Sequence, residues 1–252
     1  MTPIAVPRRL ADKRIVVTGA SRGLGRAFCV AFAAAGARVA FNYAKDEVGA
    51  RVTAAAIEAA GGEALAIRAS VVEEADMSAM ARQVERAWGH VDVLVNNAGL
   101  SEPFPLPLIG VDDWDRVMGV NAKGHFLATR AFIRGMIRRK AGAILNIGSL
   151  AGIRLIESPV HYAASKAAIK GFTQALAKEV ARYDIRVNCL APGLLEDGVG
   201  RSLPEHRLDD YVRHVPLGRV GTFDEVARCA AFMVSDANSY MTGETVLMDG
   251  GI

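Results

Sequence analysis

The chain has 252 residues, of which 51% are hydrophobic and only 6% aromatic, and its formal net charge is +3. That length suits a single α/β domain over residues 1–252 with ample room for a core, and the wealth of Ala and Gly suits helices packed closely on a sheet. The mild, scattered charge argues against a nucleic-acid partner, and no apolar run reaches membrane-spanning length.

In chain order, residues 1–11 read as an N-terminal extension that carries Arg8 and Arg9 without the apolar core of a secretory signal. A β-branched strand at 14–18 runs into a glycine turn at 19–25 and then a helical pattern at 26–35. Strand, glycine turn and helix form the setting a dinucleotide-binding loop requires: glycines let the backbone approach a pyrophosphate, and the helix N-terminus offers unpaired N–H groups. The next strand, 37–42, ends in Asn42 and Tyr43, with Lys45 beyond and Arg22 in the glycine loop. An acidic residue at that strand end would bond the ribose 2′-hydroxyl of NAD; a basic, acid-free end favours the 2′-phosphate of NADPH.

The alternation continues with a helix at 46–60, a strand at 64–68, a helix at 73–88 and a strand at 91–96, which predicts a parallel sheet with right-handed crossovers. Asn96, Asn97, Ala98 and Gly99 close that strand, where amides can brace backbone and glycine permits close approach. Pro103, Pro105 and Pro107 then predict a stiff loop. Helices follow from Asp112 and over 120–139, with Asn121 near the start of the second. A strand at 143–148 leaves Ser149 at its C-terminal edge, where open parallel sheets bind ligands. After a long helix at 162–182 and a strand at 186–190 come Pro192 and Gly193, then a charged, irregular stretch at 194–215 that reads as a substrate lid. Thr222 and Glu225 predict a capping box for a helix through Val234, and residues 245–248 a last strand. Cys29, Cys189 and Cys229 lie far apart in apolar settings with no metal-ligand spacing, so free thiols, no metal and a reducing cytoplasm are expected.

Tyr162 and Lys166 stand four residues apart, on one face of the long helix. At roughly 4 Å and an effective dielectric near 20, the ammonium would favour phenolate by about 4 kcal/mol. That is about three pKa units, enough to ready a phenol for proton transfer near neutral pH. Alone, such a pair is more often a helix-surface contact, and its weight comes from what surrounds it.

Together these pieces resemble the short-chain dehydrogenase/reductase family from about Lys13 to Gly251. The matching residues are Thr18-Gly19-x-x-x-Gly23-x-Gly25, Asn96-Asn97-Ala98-Gly99, Asn121, Ser149, Tyr162-x-x-x-Lys166 and Pro192-Gly193. The wider sequence looks most like the 3-oxoacyl-ACP reductases. The resemblance implies a doubly wound Rossmann fold, a seven-stranded parallel sheet with helices on both faces. It implies an oxidoreductase that uses NADPH to reduce a ketone, most naturally a 3-oxoacyl thioester on acyl carrier protein or coenzyme A. Asn121, Ser149, Tyr162 and Lys166 would be catalytic. Tyr162 would give its proton to the carbonyl oxygen, Ser149 would hydrogen-bond it, Lys166 would lower the phenol pKa and hold the nicotinamide ribose, and Asn121 would order a relay water.

The cofactor would lie on Gly19, Ser21, Arg22, Gly23, Leu24 and Gly25, on Asn42 and Tyr43, on Ser70 and Val71, and on Asn97, Ala98 and Gly99. Tyr162, Lys166, Pro192, Gly193 and Leu195 would complete the set. A homotetramer is the family's usual assembly, and the many small residues of the Tyr162 helix suit it. Three positions depart from the family's pattern: Ser70 stands where an Asp commonly contacts adenine, which loosens that cofactor contact, while Asp197 in place of a common Thr and the proline-rich segment 102–108 border the substrate pocket and loosen the substrate assignment. A reductase of another ketone (polyketide, sugar or steroid-like) therefore stays open, as does, more remotely, a non-catalytic nucleotide sensor. Arg138, Arg139, Lys140 and Arg182 form a basic group that could meet an acidic carrier protein.

Overall fold

Apolar residues alternate along the short strands, so each strand feeds two cores. Ile15 and Val17 point to one face with Val39, Phe41, Val93, Val95 and Leu145, while Val16, Leu94 and Ile144 point to the other. The computed structural model describes residues 10–198 and 205–252, leaving out the side chain of Glu205. Residues 1–9 of the expected extension and 199–204 of the expected lid lie outside the described residues.

Seven strands form one parallel sheet in the order β3-β2-β1-β4-β5-β6-β7. They are β1 (Arg14–Val17), β2 (Arg38–Tyr43), β3 (Ala64–Arg68), β4 (Val93–Asn96), β5 (Gly142–Ile147), β6 (Ile185–Pro192) and β7 (Thr245–Met248). Helices α1 (Gly23–Ala34), α2 (Glu47–Ala59) and α8 (Phe223–Val234) cover one face; α3 (Glu74–Trp88), α5 (Gly124–Arg139) and α6 (Val160–Val180) cover the other. The doubly wound Rossmann architecture is thus present.

The sheet order reverses between β1 and β4, because the chain winds outward through β2 and β3 and then returns beside β1. A crevice must open there at the C-terminal edge.

Four local features differ from the expectation. Helix α1 starts at Gly23, inside the glycine turn, so its first N–H groups belong to the loop itself. The helix expected at 120–139 is broken: α4 (Val111–Met118) passes through a π-turn at Gly119–Lys123 before α5 begins. The stretch expected to be irregular holds α7 (Glu205–His214). Within the proline loop, Leu106–Leu108 makes one 3₁₀ turn. The capping box is as read: Thr222 Oγ1 accepts from Glu225 N at 3.2 Å, and Glu225 Oε2 accepts from Thr222 N at 2.9 Å.

Candidate active site

The floor of the crevice is made by the turns after β1 and β4. Thr18 Oγ1 accepts from the backbone N–H of Asn97 at 2.9 Å and of Ala98 at 3.0 Å. Asn97 Nδ2 returns the contact, donating to the carbonyls of Thr18 at 2.9 Å and Gly19 at 3.0 Å. Two glycines are required by this packing. Gly19 sits at φ +66°, where a Cβ would stand 2.7 Å from Ala98 Cα. A Cβ on Gly25 would stand 2.5 Å from Gly19 O and 2.7 Å from Asn97 Nδ2. The backbone therefore lies bare at the N-terminus of α1, and a pyrophosphate fits the cradle and the dipole together.

Asn42 braces this cradle from below. It is 2% exposed; its Oδ1 accepts from Gly19 N at 3.0 Å and its Nδ2 donates to Ala69 O at 2.7 Å. Its amide is spent on backbone, so what the end of β2 offers a ribose comes from the partly exposed Tyr43 and the exposed Lys45 and Arg22. Ser70 is partly exposed with its N–H on Asp76 Oδ2 at 2.8 Å, and Val71 is buried against Gly124. Two residues without a sequence signal hold the loop as well. Buried Thr53 donates to Ala20 O at 2.9 Å, and Arg26 Nε donates to Thr53 Oγ1 at 2.9 Å. In sequence Thr53 is simply one polar residue on a surface helix.

The reactive groups gather one strand further on. Ser149 caps the turn after β5, its Oγ accepting from Ala151 N at 3.2 Å. That turn lies flat on α6: a Cβ on Gly152 would meet Lys166 C at 2.5 Å. Lys166 is 5% exposed and donates from Nζ to Ile147 O at 2.8 Å. Its ammonium lies 5.8 Å from the Tyr162 ring centroid. The π-turn swings Asn121 into the same pocket, fully buried. Its Nδ2 donates to Leu100 O and Ser165 Oγ, both at 2.9 Å, and its Oδ1 accepts from Leu100 N at 2.8 Å. Ser165 Oγ donates on to Tyr162 O at 2.7 Å, a link the sequence gave no hint of. The position of a Cβ on Gly99 would lie 3.4 Å from Asn121 Oδ1 and 3.5 Å from Lys166 Nζ, so Gly99 leaves the amide and the ammonium facing one space. Asn121, Ser149, Tyr162 and Lys166, distant in sequence, thus share the edge of β4 and β5.

The electrostatics correct one expectation. Burial pushes the Tyr162 phenol above its ordinary value, and Ser149 alone draws it down. Lys166, turned to the Ile147 carbonyl, does not bring the phenol toward neutrality here. Burial instead lowers the Lys166 ammonium to about 8, with Cys189 opposing the fall.

Beyond β6, Tyr211 of α7 seats on the Pro192-Gly193 turn, its Oη accepting from Leu194 N at 3.0 Å. Leu195 bridges to Gly221, and Glu196 Oε1 accepts from Phe223 N at 2.9 Å at the start of α8. Arg207 of α7 pairs with Glu157 in the loop before α6. The basic group at 138–140 stands elsewhere. Arg139 donates to Val91 O at 2.8 Å and pairs with Asp92 at 3.3 Å, at the N-terminal edge of the sheet. Helix α5 has 16 residues, which at 1.5 Å per residue puts that edge roughly 24 Å from Asn121. Arg139 is therefore committed to holding the start of β4, whatever the rest of the basic group meets.

Known proteins agree with this geometry. A family model described as enoyl-(acyl carrier protein) reductase matches residues 19–252. The 3-oxoacyl-[acyl-carrier-protein] reductase FabG of Chlamydia trachomatis serovar D is 36% identical, over 96% of this chain and 98% of its own. The Thermotoga maritima protein of the same name is 37% identical over 97% and 99%. A short-chain dehydrogenase/reductase structure from Serratia marcescens superposes with a TM-score of 0.91 at 33% identity, over 96% of this chain and 98% of that one. With its reversal-point crevice, bare glycine cradle and inward-facing serine, tyrosine, lysine and asparagine, the chain belongs to the short-chain dehydrogenase/reductase family.

Proposed function

We propose that this chain, acting as one catalytic domain in the cytoplasm, reduces a ketone to a secondary alcohol with NADPH, and that its ketone is a 3-oxoacyl thioester on acyl carrier protein or coenzyme A. The observation that carries the reading is the meeting of Ser149, Tyr162 and Lys166 beside the Gly19–Gly25 cradle. The 3-oxoacyl choice leans on the names of the relatives.

When bound, the nicotinamide supplies hydride to the carbonyl carbon. The protein's share is to meet the charge that then grows on the oxygen. Tyr162 gives that oxygen its proton. A phenol held protonated by burial suits this direction, since it must arrive at the reaction with its hydrogen. Ser149 donates a second hydrogen bond, and the Lys166 cation steadies the phenolate left behind and offers spare N–H groups to the ribose. Asn121 holds the π-turn against Ser165 and orders the water that returns the proton. Arg22 and Lys45, exposed and without an ion pair among the described residues, suit a 2′-phosphate. The lid read at 194–215, of which 199–204 lie outside the described residues, would border the substrate, with α7 tied back to the strand end through Tyr211 Oη and Leu194 N.

The likeness to the enoyl-(acyl carrier protein) reductase family favours one rival, reduction of an enoyl double bond. The test is a rate comparison of matched 3-oxoacyl and 2-enoyl N-acetylcysteamine thioesters and a panel of free ketones, each with NADPH and NADH. We expect the 3-oxoacyl thioester with NADPH to lead. Tyr162→Phe should lower its turnover roughly a thousandfold while leaving NADPH binding intact. A faster enoyl substrate, a faster free ketone, or an active Phe variant would each overturn the corresponding part.

A further inference from the structure

The carbonyls of the glycine turn need partners as much as its N–H groups need a phosphate, and two of them find theirs at α2. Thr53, fully buried in the middle of that helix, donates to Ala20 O at 2.9 Å and lies 3.1 Å from both Ser21 O and Gly49 O. A hydroxyl has a single hydrogen, so it cannot serve all three. Arg26 of α1 meets the others. Its Nη2 donates to Ser21 O and, at 3.2 Å, to Gly49 O, while its Nε donates to Thr53 Oγ1 at 2.9 Å. The rigid fork of a guanidinium suits such a set of acceptors. Two side chains thus stitch α1, the turn and α2 together.

This stitching has a direction. In a trans peptide unit the C=O and the following N–H point opposite ways. Drawing Ala20 O and Ser21 O toward α2 therefore turns the N–H groups of Ser21 and Arg22 away from it, toward the open side of the turn. Gly19 N and Ala20 N are already spent on Asn42, at 3.0 Å on its Oδ1 and 3.1 Å on its main-chain oxygen.

It also fixes a spacing. Asp46 caps α2, its Oδ1 accepting from Gly49 N at 2.8 Å, and it follows directly on Lys45 beyond the end of β2. Ser21 O lies so near this first turn that a Cβ on Gly49 would stand 2.8 Å from it. Arg22, next after Ser21, and Lys45, next before Asp46, are therefore held on the two sides of one seam. Both are exposed.

We propose that Thr53 and Arg26 set this chain's preference for NADPH over NADH: they are positioning residues that lock Ser21 and Arg22 to α2, and so keep Arg22 and Lys45 at the spacing a ribose 2′-phosphate requires. The idea rests on the NADPH reading above. Thr53 is sealed from solvent, so it acts through the carbonyls it holds.

Fluorescence titration with NADPH and with NADH tests this without turnover, and competition by adenosine 2′,5′-bisphosphate against 5′-ADP repeats it on fragments. Thr53→Val keeps the shape and removes the hydroxyl. It should weaken NADPH roughly tenfold and NADH less than about twofold. Thr53→Ser, which retains the hydroxyl, should return the ratio to that of wild type. Arg26→Lys keeps the charge but cannot bridge Thr53, Ser21 and Gly49 at once, and should lower the ratio by roughly threefold or more. A side chain that only supported the fold would lower the urea midpoint and leave the ratio alone.

An unchanged ratio in the Val variant, whether both affinities fall or neither does, overturns the proposal, and so does a Ser variant as poor as Val. If the Val variant fails to fold, Arg26→Lys, at a half-buried position, decides by the same ratio. A wild type that binds NADH more tightly would by itself remove the NADPH reading. The change in ratio from wild type to variant would still show whether Thr53 and Arg26 govern it.

Discussion

Two residues at the site, His125 and Lys166, are held in protonation equilibria far from their ordinary ones, and both leave a mark on stability. Burial lowers His125 from 6.5 to about 3, so between those values the unfolded chain binds a proton that the folded chain refuses. The stability due to the neutral ring is complete above about 6.5 and is lost as pH falls toward about 3. Lys166 is lowered from 10.5 to about 8, so its burial costs stability below that range and the cost fades as pH rises through it. Stability should therefore climb with pH on both the acid and the alkaline side of neutrality. We expect the folding equilibrium to weaken by up to about tenfold per pH unit on going from pH 7 to about pH 5, and His125→Phe to flatten that slope. Urea midpoints of the two proteins at each pH measure it; parallel slopes would show that His125 is not the group responsible.

Among elements, the fit of α1 to the turns after β1 and β4 sets the precision of the cradle. The alternation of β-branched strands with helical segments was legible from periodicity alone, because each strand is short and bounded by glycine or polar turns. The glycine turn was legible because its residue type answers a backbone requirement. The π-turn at Gly119–Lys123 was not legible, since α-helical and π-helical turns share composition and only the packing of Asn121 against Ser165 selects one. Nor was the commitment of Arg139, because its partner Asp92 is near only once β4 and β5 pair. The lysine effect on Tyr162 was overstated for a similar reason: spacing on a helix says nothing about the Ile147 carbonyl that holds the ammonium. Gly25→Ala tests the fit directly. Its new methyl would enter space within 2.5 Å of Gly19 O and 2.8 Å of Ala20 Cα, so loop or helix must move. Overpacking of this kind costs about 1–3 kcal/mol, and the displaced cradle should bind NADPH at least tenfold more weakly by fluorescence titration. Wild-type affinity in the variant would mean the close approach is incidental.

For the whole molecule, the question is what covers two surfaces that the described residues leave open. On α6, Ala167, Ala168, Gly171 and Ala175 line an exposed stripe, and nothing stands within 4 Å of a Cβ on Gly171. Small residues at this spacing let another backbone come close. Separately, β7 is an edge strand whose four residues are all half-buried, with Tyr240 99% exposed in the segment just before it. Apolar sheet edges left uncovered invite pairing with other chains, and natural proteins seldom leave them bare. Two distinct open surfaces on one chain are what a dihedral tetramer needs, since each must be closed by its own two-fold contact. We therefore expect sedimentation to give a homotetramer. Gly171→Arg, which puts a long charged side chain into the α6 stripe, should halve the assembly and leave the β7 contact intact. A monomeric wild type would refute the assembly. A tetrameric Arg variant would refute the stripe as one of its two contacts and move that contact to another face.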